Sequence, residues 1–311
     1  MIAFLFPGQG SQAVGMGRAF HEASPAARAV FEEASAALGR DLARLCFEGP
    51  DSELALTANT QPAVLVASVA AAAACAERGL RPALVAGHSL GEYSALVVGG
   101  AIALADAVRV VRKRGEFMQE AVPVGAGAMA ALLGIDASTA AEVCAAAAQG
   151  EVVEIANVNS PQQIVIAGHR AAVERAVALA RERGGRKSVL LPVSAPFHCS
   201  LMRPAAERLA AELAGIKIAD PAIPLVRNVD AGVTRVGADV IPNLLRQVAS
   251  PVQWTACVER LAAEGARAFV EVGPGRVLTG LVKRIVDDAT ALAVEDPAGL
   301  ERALATLEGA R

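Results

Sequence analysis

A chain of 311 residues suits one large domain or two unequal ones, and a net charge of −3 offers no excess for nucleic acid or an anionic membrane. Aromatic residues make up only 3%, which leaves no stacking platform for bases. The 54% hydrophobic content and five cysteines scattered singly, with no Cys-x-x-Cys pair, point to a cytoplasmic protein with reduced thiols in its core.

The first apolar run, "IAFLF", reads as a strand closed by Pro7 and Gly8. It lacks the basic n-region and cleavage site of a signal peptide. Helical patterns follow over Pro25–Leu38 and Thr60–Arg78. The alanine-rich stretch from Ala63 to Ala76 is too short for a membrane span and reads as a buried helix. "ALVAG" is the next strand, followed by helical patterns over Leu90–Val98 and Ala103–Glu120. From Gly125 to Val193 the order is strand, helix, two strands, helix, strand: "AMAALLGI", "STAAEVCAAAA", "EVVEIANV", "QQIVIAG", "RAAVERAVALARERG" and "KSVLLPV". That is the split β-α-β unit of ferredoxin-like domains. "ARAFVEVGPG" gives another buried strand, and "RVLTGLVKRIV" a helix. The expected fold is therefore α/β, with a largely parallel sheet in a discontinuous core (residues 1–124 and 194–311) and a small ferredoxin-like insert (residues 125–193).

Within "VAGHSLGEYSAL", the spacing Gly87-His88-Ser89-Leu90-Gly91 fits G-x-S-x-G, a serine on a sharp strand-to-helix turn. Such a serine needs a base. Of the four histidines, His88 lies inside the turn, and His21 and His169 have polar surroundings that suit a surface. His198, in "PVSAPFHCSLM", follows a strand and a Pro-containing loop and is the best candidate. The glycine loop "FPGQGSQAVGMG" loosely matches a dinucleotide pattern, but the acid expected beyond a second strand is missing. Gln9 and its backbone are alternative hydrogen-bond donors toward Ser89. Arg109, Arg112, Lys113 and Arg114 suit a solvated helix face, unless one turns inward to hold a carboxylate through its planar fork. No metal-ligand spacing occurs.

These blocks together resemble the malonyl-CoA:acyl carrier protein transacylase family, from "FPGQGSQAVGMG" through "TQPAVL", "GHSLGEYSAL", "RGEFMQEAVP", "NSPQQIVIAG", "SAPFHCSLM" and "SPVQW" to "VEVGPGRVLTGLVKRI". The resemblance implies a hydrolase-like α/β core with a ferredoxin-like insert. It implies Ser89 as the acylated nucleophile and His198 as general base and acid. Arg114 would bind the malonyl carboxylate, and Gln9 with the Leu90 N–H would form the oxyanion hole. The Gln253 carbonyl would orient the histidine, and Phe197 would fill the space an α-methyl group needs, favouring malonyl. The implied partners are malonyl-CoA and an acyl carrier protein, with no bound cofactor, in fatty acid or polyketide synthesis. The basic pairs Arg186-Lys187 and Lys283-Arg284 are candidate contacts for an acidic carrier. The rivals are a serine thioesterase or hydrolase on the same turn, and a non-catalytic docking subunit. A hydrolase commonly supplies an acid between serine and histidine, and none stands in a motif here.

Overall fold

The computed structural model describes residues 1–193 and 195–309. Ser194, where the second core segment is expected to begin, lies outside the described residues. The chain opens with β1 (Ile2–Phe6). Short helices α1 (Arg18–Ala23), α3 (Leu42–Glu48) and α4 (Asp51–Leu54) flank α2 (Pro25–Leu38) and lead to α5 (Thr57–Glu77). Next come β2 (Leu84–Gly87), α6 (Gly91–Val98) and α7 (Leu104–Glu120). A second group follows: β3 (Gly127–Leu133), α8 (Ala137–Ala148), β4 (Val153–Ser160), β5 (Gln163–His169), α9 (Arg170–Glu182) and β6 (Lys187–Leu190). The remainder holds α10 (Arg203–Ala214), β7 (Leu225–Val226), β8 (Val233–Thr234), α11 (Val240–Val248) and α12 (Trp254–Ala263). It ends with β9 (Ala268–Val272), α13 (Val277–Val282), β10 (Thr290–Val294) and α14 (Pro297–Gly309).

The first sheet has the order β10-β9-β1-β2-β7-β8, parallel except for the β7–β8 pair. Its central strands are apolar throughout because both faces are covered. Phe4 and Phe6 face one core cluster, and Ala3 and Leu5 face another. Burying each phenylalanine contributes about 1.5–3 kcal/mol. The second sheet, β4-β5-β3-β6, is antiparallel. Ala130 and Leu132 of β3 face a cluster shared with α8 and α9, whereas Met129 joins the main core. Strand β4 ties the two parts together: Val158 N donates to Val252 O, and Val252 N to Ala156 O, both at 2.9 Å.

Local chemistry explains the helix limits. Helix α2 starts where Ser24 Oγ accepts from Ala27 N and Pro25 occupies the first turn; it stops at Gly39, which has φ 65°. Helix α5 is long and apolar enough to cross a membrane, but 89% of its apolar window is buried inside the protein. It begins three residues before the sequence expectation and runs through Pro62. Proline has no N–H for the carbonyl of Ala58 four residues back, and Arg112 Nη1 donates to that oxygen instead, at 3.2 Å. Helix α13 is shorter than "RVLTGLVKRIV" suggests, because the chain turns after Val282, whose carbonyl accepts from both Ile285 N and Val286 N.

Candidate active site

The site lies beyond the carboxyl ends of β1 and β2, where open parallel sheets commonly place their ligands. The chain leaves β2 at Gly87, turns through His88 and Ser89, and enters α6. Ser89 has φ 52°, a left-handed conformation that is strained for an L residue. Two glycines allow the turn. A Cβ on Gly87 would lie 1.9 Å from Gly91 C and O, and one on Gly91 would lie 2.0 Å from Phe6 O. Asn228 clamps the same turn: its Oδ1 accepts from Ser89 N at 2.7 Å, and its Nδ2 donates to Gly87 O at 2.8 Å. The ring of His88 packs on buried Trp254 and bonds Asn159 Oδ1 at 2.8 Å, away from the serine hydroxyl.

His198 Nε2 stands 2.6 Å from Ser89 Oγ, although 109 residues separate them. Its Nδ1 lies 2.9 Å from Gln247 O. A carbonyl can only accept, so Nδ1 carries the proton and Nε2 presents its lone pair to the hydroxyl. The imidazole is 4% exposed, and burial, helped by the nearby Arg114 charge, holds its pKa down at about 3. It is a neutral acceptor at neutral pH. Cys199, its neighbour, is buried, and burial pushes its thiol up to about 12.

The family resemblance implies Gln253 as the source of the histidine-orienting carbonyl. The structure gives that place to Gln247. The Gln253 carbonyl already accepts from Cys257 N at 2.9 Å, as the start of α12. Gln247 lies in the last turn of α11, where carbonyls have no intrahelical partner and are free to accept.

Arg114 is the basic residue of its group that turns inward. Arg109, Arg112 and Lys113 form surface pairs with Asp106 and Glu116. Arg114, only 2% exposed, donates from Nη1 to Gln61 Oε1 (2.8 Å) and from Nη2 to Ser89 Oγ (3.1 Å) and Gln247 Oε1 (3.0 Å). Tyr93 lies beside the guanidinium, its ring centroid 5.6 Å from the guanidinium carbon, but among the described residues neither its hydroxyl nor Arg114 Nε makes a hydrogen bond of good geometry. A buried cation held by neutral oxygens has spare capacity for an anion.

Ser89, His198 and Arg114 border one cavity of about 470 Å³, with Gln9, Leu90 and Phe197 on its walls. Gln9 Nε2 donates to Thr57 Oγ1 at 3.2 Å. The Leu90 N–H sits at the open N-terminus of α6, where the helix dipole favours negative charge. Phe197 is buried beside the histidine.

Sequence reasoning missed the polar layer beneath: Gln61, Glu92, Asn159, Asn228 and Gln247. Glu92, Gln61 and Asn159 stand in the blocks "GHSLGEYSAL", "TQPAVL" and "NSPQQIVIAG", whereas Asn228 and Gln247 carry no local signal.

Residues 3–308 match the model of the acyl transferase domain family. The malonyl CoA-acyl carrier protein transacylase of Escherichia coli (strain K12) is 53% identical over 304 residues, spanning 97% of this chain and 98% of that one. A solved acyl-carrier-protein S-malonyltransferase from Burkholderia pseudomallei 1710b superposes with a TM-score of 0.95 at 49% identity, covering 98% of this chain and 99% of its own. A malonyl-transacylase solved in complex with its type II PKS acyl-carrier protein has the same TM-score at 47% identity, with 98% and 99% coverage. With its serine turn, its histidine and its inward arginine on that common fold, the chain belongs to the malonyl-CoA:acyl carrier protein transacylases, within the acyl transferase domain family.

Proposed function

We propose that this protein moves a malonyl group from malonyl-CoA to the phosphopantetheine thiol of an acyl carrier protein, through a malonyl ester on Ser89. The observation that carries the reading is one oxygen with two partners. Ser89 Oγ lies 2.6 Å from a neutral imidazole nitrogen and 3.1 Å from a buried guanidinium nitrogen. A base and an anion anchor on the same nucleophile suit a thioester that carries a carboxylate.

In the first half-reaction the malonyl carboxylate pairs with Arg114 and sets the thioester carbonyl near Ser89. Oγ forms a bond to the carbonyl carbon, and its proton passes to His198 Nε2. The carbonyl oxygen becomes an oxyanion, stabilised by donors at Gln9 and Leu90. The intermediate collapses, the C–S bond breaks, and CoA sulfur leaves with the proton from His198. In the second half-reaction the carrier thiol gives its proton to His198, attacks the ester carbon, and Ser89 Oγ leaves protonated. Phe197 narrows the space beside the acyl α-carbon. The product serves fatty acid or polyketide synthesis. Buried free thiols at all five cysteines suit action in the cytoplasm. The division into a discontinuous core and an insert spanning residues 125–193 belongs to the same reading, and the separate apolar cluster of the second sheet supports it.

Mass spectrometry of the protein mixed with malonyl-CoA tests the proposal. A malonyl ester on Ser89, discharged by holo carrier protein and absent in Ser89→Ala, is the expected result. Released malonate without carrier makes the protein a thioesterase, and no adduct at all makes it a docking subunit.

A further inference from the structure

The buried guanidinium raises a question of charge. All three partners of Arg114 are neutral, so its counter-charge must lie further off. Glu92 supplies a carboxylate one side chain away, itself 2% exposed. Glu92 Oε2 accepts from Gln247 Nε2 and from Asn228 N, both at 2.9 Å. The Gln247 amide bridges the pair, with Nε2 toward Glu92 and Oε1 toward Arg114 Nη2 at 3.0 Å. Its orientation is forced. A flipped amide would set NH₂ against the guanidinium and a carbonyl against the carboxylate, replacing two attractions by two repulsions.

We infer that Glu92 is a positioning residue: through the Gln247 amide it holds Arg114 for the malonyl carboxylate, and it takes up a proton when that carboxylate binds. The inference rests on the malonyl reading above. Its electrostatic part follows from counting charges. Without substrate, one buried cation faces one buried anion. The malonyl carboxylate adds a second anion to a single cation, and like charge raises the proton affinity of a neighbouring carboxylate. Burial has already pushed Glu92 up to about 7, so it needs little further help to take a proton near neutral pH. The other groups around it keep their charge state there. Arg114 and Arg227 remain cations. Burial keeps the Tyr93 hydroxyl (about 12) and the Cys257 thiol protonated, and His198 neutral.

Thiol exchange between a thioester and serine neither consumes nor releases a proton below the thiol pKa of roughly 8.5. Proton uptake during malonylation therefore reports on the protein. A rise of about one pH unit in the Glu92 midpoint gives uptake of roughly half a proton per malonyl-serine near pH 7.5. By reciprocity, half-saturation for the malonyl donor rises roughly five- to tenfold between pH 6 and 8.5.

The test uses the full chain and malonyl-pantetheine, which lacks the phosphates of CoA that titrate near pH 6. Proton uptake is read with an indicator dye, and single-turnover malonylation is followed from pH 6 to 8.5. Glu92→Gln can place its carbonyl where Oε2 now accepts both bonds, so it keeps the clamp and loses the charge. It should take up no proton, show a flat pH profile, and match wild-type half-saturation at pH 6 within about twofold. Glu92→Ala removes the charged acceptor of the Gln247 amide, leaving its Nε2 the bond to Ser89 O at 3.0 Å, and should weaken half-saturation about tenfold or more at every pH. A flat wild-type profile without uptake, or a sloping profile in Glu92→Gln, overturns the proton step. Equal half-saturation in the Gln and Ala variants overturns the clamp. Absence of any malonyl-serine ester in the wild type overturns the transfer reading itself, and this inference with it.

Discussion

Arg114→Ala is the substitution that weighs substrate choice most directly. In the substrate-free site the guanidinium has three neutral oxygens at 2.8, 3.1 and 3.0 Å. A malonyl carboxylate replaces two of these oxygens, so that both partners of the bonds carry charge. The charge–charge attraction is about 4 kcal/mol at about 4 Å and an effective dielectric constant of about 20, and desolvation of the carboxylate takes part of it back. A net gain of about 1–4 kcal/mol is roughly fivefold to a thousandfold in preference for malonyl over acetyl. An acetyl group leaves the bonds to neutral oxygens in place and gains none of this. The alanine variant should lose that factor in the ratio of kcat/KM for malonyl-CoA to acetyl-CoA. It also strands Gln61 Oε1 and Gln247 Oε1, each costing about 1–3 kcal/mol where water does not reach. Thermal melting should register that loss. Arg114→Lys restores one charge without the planar fork and should recover part of the ratio. If Arg114→Ala leaves the ratio within about threefold of wild type, below ~0.7 kcal/mol, the argument for a carboxylate anchor is wrong.

Four further outcomes are expected. With His198 held near pKa 3, single-turnover acylation at saturating malonyl-pantetheine should stay level from pH 7 down to pH 5.5; a midpoint near 6.5 would show an imidazole open to water. The same depressed pKa works against the fold in acid. The unfolded histidine binds a proton below about 6.5 and the folded one does not, so this contribution to stability is lost as pH falls from about 6.5 toward 3. Asn228→Ala strands Ser89 N–H and Gly87 O in the serine turn and should lower unfolding free energy in urea by about 2–5 kcal/mol; a change under about 1 kcal/mol would mean that the turn holds itself. The two basic pairs meet at one hairpin, because Arg186 Nη2 bonds Gln162 Oε1 at 2.5 Å and Arg284 Nη1 bonds Gln163 Oε1 at 2.9 Å. Charge reversal at Lys187 and Lys283 should raise the KM for an acidic carrier protein at low salt and leave the rate with malonyl-pantetheine unchanged; an unaltered KM removes this surface from docking.

What the sequence made legible was local. The bounds of α2 follow from Ser24, Pro25 and Gly39, and the serine turn from glycines two residues either side of Ser89. The alternation of strands and helices over 125–193 is enough to give the chain order of the elements in and around the second sheet. The layer under the site is not local. Gln247 reaches Ser89 O across 158 residues and Glu92 across 155, and Asn228 reaches Ser89 N across 139. No spacing rule connects such positions, because the parallel sheet and the end of α11 bring them together. The exchange of Gln253 for Gln247 has the same origin. A motif marks Gln253, but which carbonyl is free depends on where one helix ends and the next begins.

A backbone carbonyl behind the histidine suits this site better than a carboxylate would. An aspartate at Nδ1 would stand close to a buried guanidinium and would either pair with it or repel the incoming malonyl anion. The Gln247 carbonyl fixes the tautomer at 2.9 Å without adding charge. It adds no second anion to the Arg114–Glu92 pair, and Arg114, after burial, remains a cause of the low His198 pKa. A malonyl carboxylate would contact the guanidinium directly, where Glu92 reaches it only through Gln247, and so would screen the cation from the imidazole and make the imidazole a stronger base. Acetyl thioesters leave the cation with Glu92 alone and the base weaker. The preference for malonyl should therefore appear in the acylation rate as well as in half-saturation, since the carboxylate that anchors the substrate also relieves the base that activates Ser89.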